Sequence, residues 1–163
     1  MAKQRLNVTN VQGTKFYLVP TNTDLEDAEK VAIAIATAKQ LGCVQTFGQI
    51  SQSKSVQEYK CMSSNASTKS IGSVSLGNQE ISMLFDATST GGQQELNSMW
   101  TNDERRTLII ELKDQVTPTT GNPTYIMYEI ELSGLNISLE ADAAVLFSVV
   151  AEMVSTPEII LAT

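Results

Sequence analysis

The sequence contains no histidine. That absence removes the commonest general base, the usual partner of a nucleophilic Ser or Cys, and the most frequent metal ligand, and with them most hydrolase and zinc readings. Cysteine is scarce as well. Cys43 and Cys61 are far apart and lack a CxxC spacing, so they are expected to be buried apolar thiols and not a redox or metal pair. No apolar run approaches the roughly 18 residues needed to span a bilayer, and no basic segment followed by an apolar one opens the chain; neither a membrane anchor nor a secretory leader is expected. Gly72-Ser73 and Gly91-Gly92 lack the spacing and the Lys of a phosphate-cradling loop and read as turn glycines. Basic residues vanish from the last part of the chain, where Asp114 to Thr163 contains no Lys or Arg.

That last absence sets the charge. The eleven basic residues lie at or before Lys113, where acidic residues balance them, so Asp114, Glu129, Glu131, Glu140, Asp142, Glu152 and Glu158 supply the whole net charge of −7. A surface that grips nucleic acid needs the opposite sign. The chain of 163 residues suits one compact domain, 1–163, with 1–13 as a polar arm that orders only against a neighbour. Ser, Thr, Asn and Gln make up about a third of the residues, a neutral polar surface suited to packing against copies of itself.

Hydrophobic periodicity predicts a mainly β chain with one or two helices. KFYLV (Lys15 to Val19) reads as a strand closed by Pro20. Thr23 and Glu26 fit a capping box for a helix from Asp24 to Leu41 with Leu25, Ala28, Ala32, Ile35 and Ala36 on one face, although the alternation in VAIAIATA also suits a strand. Strands follow at Cys43 to Ile50 and Val56 to Cys61, joined by the polar SQSKS, with a loop from Ser63 to Ser70. A short strand then precedes a longer one, where Ile81, Met83 and Phe85 alternate with Glu80, Ser82 and Asp86, the period of two of a sheet with one wet face. Thr90 and Gln93 fit a second capping box, opening a helix whose Leu96, Met99 and Trp100 form a stripe that plugs a core.

Further alternation follows at Leu108, Ile110 and Leu112, at Ile126, Tyr128, Ile130 and Leu132, and at Leu135, Ile137 and Leu139, with a turn-rich loop at Pro118, Gly121 and Pro123. Ala144 to Val154 reads as a strand buried on both faces, and Pro157 precedes a last short strand. About eight strands with long loops predict a β-sandwich or partly closed barrel with the Gln93 to Trp100 helix sealing it.

No reactive constellation stands out. Glu129 and Glu131 lie about 7 Å apart on one strand face, but any i, i+2 pair does. Asp24, Glu26, Asp27 and Glu29 lack a calcium-loop order and suit a helix N-terminus. Tyr17, Phe47, Tyr59, Tyr125 and Tyr128 are not interleaved with basic residues as a base-stacking platform requires. No catalytic residue, cofactor or metal site is predicted, and the chain is not expected to be an enzyme.

The order KFYLVP, then LGCVQTFGQIS, then IGSVSLGNQEISMLFD running into GGQQEL and a short helix, resembles the major tail tube proteins of long, non-contractile-tailed bacteriophages. The resemblance covers Gly13 to the C-terminus, and Leu76 to Leu96 carries most of it. It implies a β-sandwich flanked by a helix and assembled into stacked hexameric rings, in which each subunit lends strands to one shared inner β-barrel. It also implies a virion protein built in the host bacterial cytoplasm, with a tape measure protein inside the tube before ejection, tail tip and tail terminator proteins at its ends, and DNA passing through without specific binding. Acid-lined walls repel phosphates, so Glu129, Glu131, Glu140 and Glu152 are the candidates for lumen-facing charge. Two other readings remain open: a tube protein of a contractile tail or type VI secretion system, which a neighbouring sheath gene would signal, and a small β-sandwich module that binds carbohydrate or a host surface.

Overall fold

The computed structural model describes residues 12–60, 62, 67–86, 91–114, 121–141 and 143–162. Along the chain lie β1 (Lys15–Pro20), α1 (Ala28–Thr37), β2 (Lys39–Gln40), β3 (Val44–Phe47), β4 (Gln52–Lys60), β5 (Ser67–Leu76), β6 (Asn78–Leu84), α2 (Gly92–Asn102), β7 (Arg106–Glu111), β8 (Tyr125–Ser138), β9 (Leu146–Met153) and β10 (Glu158–Ile160). The described residues are mainly β, with two helices. One sheet runs β2-β1-β7-β8-β9-β6-β3, with β10 beside β8, and β4 and β5 form a separate two-stranded ribbon.

Strand β8 divides the large sheet. Its first part pairs with β7 through Ile130, whereas from Ile130 onward it pairs with β9 on the opposite side, with a register shift between Leu132 and Gly134. Such a bulge bends a strand and increases its twist. The sheet therefore folds into two wings that share a core. Phe16, Leu108 and Tyr128 of one wing bury with Ile81, Phe147 and Val149 of the other, and Phe16 stacks on Phe47 across the gap with ring centroids 4.9 Å apart. The arrangement is sandwich-like and does not close into a barrel.

Helix α2 plugs that core through Leu96 and Met99, as expected. Its start differs: the N-cap is Gly91, which gives no side-chain cap bond, and Thr90 lies outside the described residues. Gln93 turns to β6, accepting from the Asp86 N–H and donating to the Leu84 carbonyl. Gly92 has to be glycine, because a Cβ there would stand 2.7 Å from the Gln40 carbonyl and Leu41 Cα. Trp100 is not buried but 43% exposed. The buried line runs Gly92–Leu96–Met99, and Trp100 sits on its flank in the last turn.

Helix α1 covers the outer face of the first wing, where Val31 and Ala34 pack on Tyr17, Val19, Ile109, Tyr125 and Met127. It is shorter than expected. Asp27, not Thr23, is the N-cap and accepts from the Lys30 N–H. Asp24 and Glu26 instead clamp the Lys30 ammonium at 2.7 and 2.9 Å, which holds the Asp24 carboxyl below its usual range. Ala32 and Ala36 face solvent while Val31 and Ala34 face the sheet, because the helix begins later and its contact stripe is phased from Asp27.

Other expectations shift as well. Gln52 to Ser55 of the SQSKS segment and Ser67 to Ser70 are strand, and they lengthen the ribbon. Residues 115–120, which include Pro118 of the expected turn-rich loop, and Cys61 lie outside the described residues. Cys43 is exposed, in the turn between Leu41 and β3. Strand β9 alternates: Phe147, Val149, Ala151 and Met153 are buried and their neighbours half-exposed, since only one of its faces meets the core.

One buried polar pair crosses the core. Tyr128 donates its hydroxyl to Gln79 Oε1 at 2.9 Å, and burial pushes the Tyr128 phenol above its ordinary range. A proton held more tightly in the folded chain contributes stability that is complete below the unfolded pKa of about 10 and is lost as pH rises through the folded value. Thermal melts are expected to hold steady to about pH 10 and fall above it. Tyr128→Phe should flatten that fall and cost about 1–3 kcal/mol at neutral pH, because Gln79 Oε1 is left buried without a donor. An unchanged alkaline profile would assign the effect to Tyr17 and Tyr125, whose phenols are also raised, first by burial and then by Glu111.

Candidate assembly surface

The second wing, formed by the later part of β8 with β9, β6 and β3, carries the features that the core does not use. Its inner face is apolar: Ile81, Met83, Phe147, Val149 and Ala151 belong to the core. Its outer face holds Glu131 opposite Glu152, which is opposite Asn78, then Asn136 opposite Ser148, which is opposite Ser82. None of these outer residues belongs to either hydrophobic cluster, and neither helix packs there.

The charges on that face are partly compensated. Like charges directly opposite one another across a ladder repel, and Glu131 and Glu152 are such a pair. Glu131 meets the Arg105 guanidinium at 3.1 Å, an exposed contact of small energetic value. Glu152 accepts from Ser133 Oγ at 2.8 Å and from Asn78 Nδ2 at 3.5 Å. Ser148 Oγ donates to Ser82 Oγ at 3.1 Å.

Of the four predicted acidic residues, the structure brings Glu129, Glu131 and Glu152 to one sheet face. Glu140 lies past the end of β8, away from them and exposed. Glu80 joins the same face, two residues along β6 from Asn78. It lies outside the acid-only segment that follows Lys113. The alternation of Glu80 and Ser82 with Ile81 and Met83 already marked it as outward.

Among the described residues both borders of this wing are open: β3 pairs only with β6, and residues 131–138 of β8 pair only with β9. Met153 donates its N–H to Gly77 and Val154 donates to Glu129, which sets the phase of the ladder so that the amides of Leu135 and Ile137 point away from β9. By the same reasoning Gly48, donating to Glu80, leaves the Phe47 amide on the open side of β3. Unpaired strand edges of this length template pairing with another chain.

The third feature is the β4–β5 ribbon. Every residue of β4 is exposed, as is all of β5 except Leu76. A free two-stranded ribbon is marginal in water. One face carries Val56 directly opposite Ile71, with Val74 opposite Lys54 and Glu58 opposite Lys69; the other is mostly Ser, Thr and Gln. Tyr59 is on the ribbon, while Tyr17, Tyr125 and Tyr128 are buried, so the aromatics form no common platform. Among the described residues no group of His, Cys, Asp and Glu is arranged to hold a metal ion, and no helix is long and apolar enough to cross a membrane.

No family model matches the sequence, and no curated protein matches it. The fold does have solved counterparts. A chain of the SPP1 tail tube superposes with a TM-score of 0.62 at 13% identity over 90% of this chain and 75% of that one. A chain of the sheath–tube complex of the extracellular contractile injection system PVC, in its extended state, gives 0.66 at 11% identity over 96% and 93%. A chain from the tail of an empty gene transfer agent particle gives 0.59 at 8% identity over 93% and 98%. This chain therefore has the fold found in subunits of phage tail tubes and phage-like injection tails.

Proposed function

We propose that this chain is the structural subunit of a tail tube, a virion protein whose copies join edge to edge into six-membered rings that stack into a hollow conduit for DNA. The observation that carries this reading is the second wing, with two open borders and a helix-free polar outer face. Strand direction alternates from β8 through β9 and β6 to β3, so the β3 of one copy can meet the β8 border of the next in antiparallel pairing. Repeated by rotation, this head-to-tail contact closes a ring. Closure satisfies amides and carbonyls that otherwise invite aggregation. The core occupies the inner face of the wing, so the outer face with Glu80, Glu129, Glu131 and Glu152 becomes the bore. A carboxylate-lined bore repels phosphates and lets a genome slide. Partners of this assembly are a tape measure protein filling the bore and tip and terminator proteins at the ends.

Negative-stain microscopy of the concentrated protein is expected to show hollow annuli and filaments, with a helical map pairing 44–47 of one copy with 131–138 of the next. An assembly that leaves both segments exposed to solvent, or one without a central channel, overturns the reading.

A further inference from the structure

On a flat sheet Tyr128 and Gln79 could not meet. Gln79 of β6 stands in register with Ala151 of β9 and, through it, with Leu132 of β8, and Tyr128 lies four residues before Leu132. At about 3.3 Å per residue and about 4.8 Å per strand, their Cα atoms would be roughly 16 Å apart on a flat sheet, with the two side chains standing parallel. Yet the Tyr128 hydroxyl donates to Gln79 Oε1 at 2.9 Å. The sheet is curled inward between the two wings, and this bond spans the curl.

Stability does not account for the pair. Both side chains are buried, and Gln79 Nε2 has no hydrogen-bond partner among the described residues, so a buried donor is left unpaired at a cost in stability. The cluster around them is otherwise apolar, with Ile81, Met83, Leu108, Ile130 and Val149 among its members. Two apolar side chains of the same shape would fill this space without that cost. What the polar pair adds is geometry. Apolar cores tolerate sliding and lose uniqueness before they lose stability, whereas a hydrogen bond weakens steeply away from its preferred length and line.

We infer that the Tyr128–Gln79 pair is a curvature latch, which holds the first and second wings at one angle at a net cost in stability. The bulge between Leu132 and Gly134 lets β8 bend, and the latch selects how far. Tyr128 and Gln79 are thus positioning residues, acting on the open borders without reaching them. The consequence for assembly rests on the tube reading: the first wing stands behind the wall formed by the second, so their angle sets the wedge each copy fills and the number of copies that close a ring.

The test reads the angle in the dispersed full chain. Spin labels at Ala36→Cys on α1 and Glu80→Cys on β6, both exposed positions, report the distance between the wings in a parent whose Cys43 and Cys61 are replaced by serine. The unlatched chain carries Gln79→Met together with Tyr128→Phe. It is expected to melt at the parent's temperature or up to about 5 °C above it, while its distance distribution widens about twofold or more. Val149→Ala, which removes only packing from the second wing, is expected to do the reverse, lowering the melting temperature by several degrees with the distribution still narrow. A double variant as narrow as the parent overturns the latch, and so does one that melts well below the parent. Equal broadening by Val149→Ala assigns the angle to packing and also overturns it. Without labels, the double variant is expected to close rings of mixed size and the wild-type chain rings of one size; uniform rings from both overturn the step from angle to ring number. Failure of the wild-type chain to form rings counts against the tube reading instead, and the distance measurement still decides the latch.

Discussion

In filaments grown from this chain, the backbone amides of Phe47, Leu135 and Ile137 are expected to exchange with solvent about a thousandfold more slowly than in the dispersed subunit. In the free subunit these amides lie on the open borders of β3 and β8, where local opening requires almost no free energy. Pairing with a neighbouring border converts them into ladder amides that open only when two strands separate. Amides of Ser148 and Val150, which are already inside the sheet, serve as the internal control and should change little. Hydrogen exchange read residue by residue on both states checks this. Protection that appears elsewhere on the molecule while Leu135 and Ile137 remain fast would show that a different surface forms the wall.

The second large effect concerns the bore. Glu80→Lys combined with Glu152→Lys reverses two charges per subunit on one sheet face, and copies around a ring multiply the change. Tubes of the wild-type chain are expected not to retain duplex DNA. Tubes of the double variant should retain it at low salt and release it as salt rises, with log K falling by about 0.9 per phosphate neutralised for each unit of log salt. For 6–10 phosphates the loss between 50 and 200 mM salt is roughly a thousandfold to a hundred-thousandfold. Subunit stability should move little, since Glu80 is exposed and Glu152 half-exposed. Filter binding across a salt series reads the result, and equal retention by both proteins would place this face outside the bore.

Much of the interior was legible from local pattern. Alternation in β6 assigned Ile81 and Met83 to the core and Glu80 and Ser82 to the outside, and the structure agrees at each of these positions. The same pattern found the Tyr128–Ile130 face of β8 and the plug residues Leu96 and Met99. It failed at element ends. Phe85 continued the alternation on paper, but β6 stops at Leu84 and leaves the ring at the mouth of a groove. Leu135 and Ile137 were read as a strand of their own, whereas a bulge carries β8 through them as one continuous strand. From sequence the ribbon reads as two short strands, Val56 to Cys61 and one after Ser70, with SQSKS as a linker and Ser63 to Ser70 as a loop, because its polar outer parts have no alternation to detect.

The sequence alone determined which residues face inward along each strand, because that is a local property with a period of two, and it placed all net negative charge after Lys113. Only the tertiary structure decided which strand borders stay unpaired, which acidic residues share a face, and how far the two wings curl toward one another. Those depend on register between segments as distant as β6 and β9, and register is set when two whole faces pack together, not by either segment by itself.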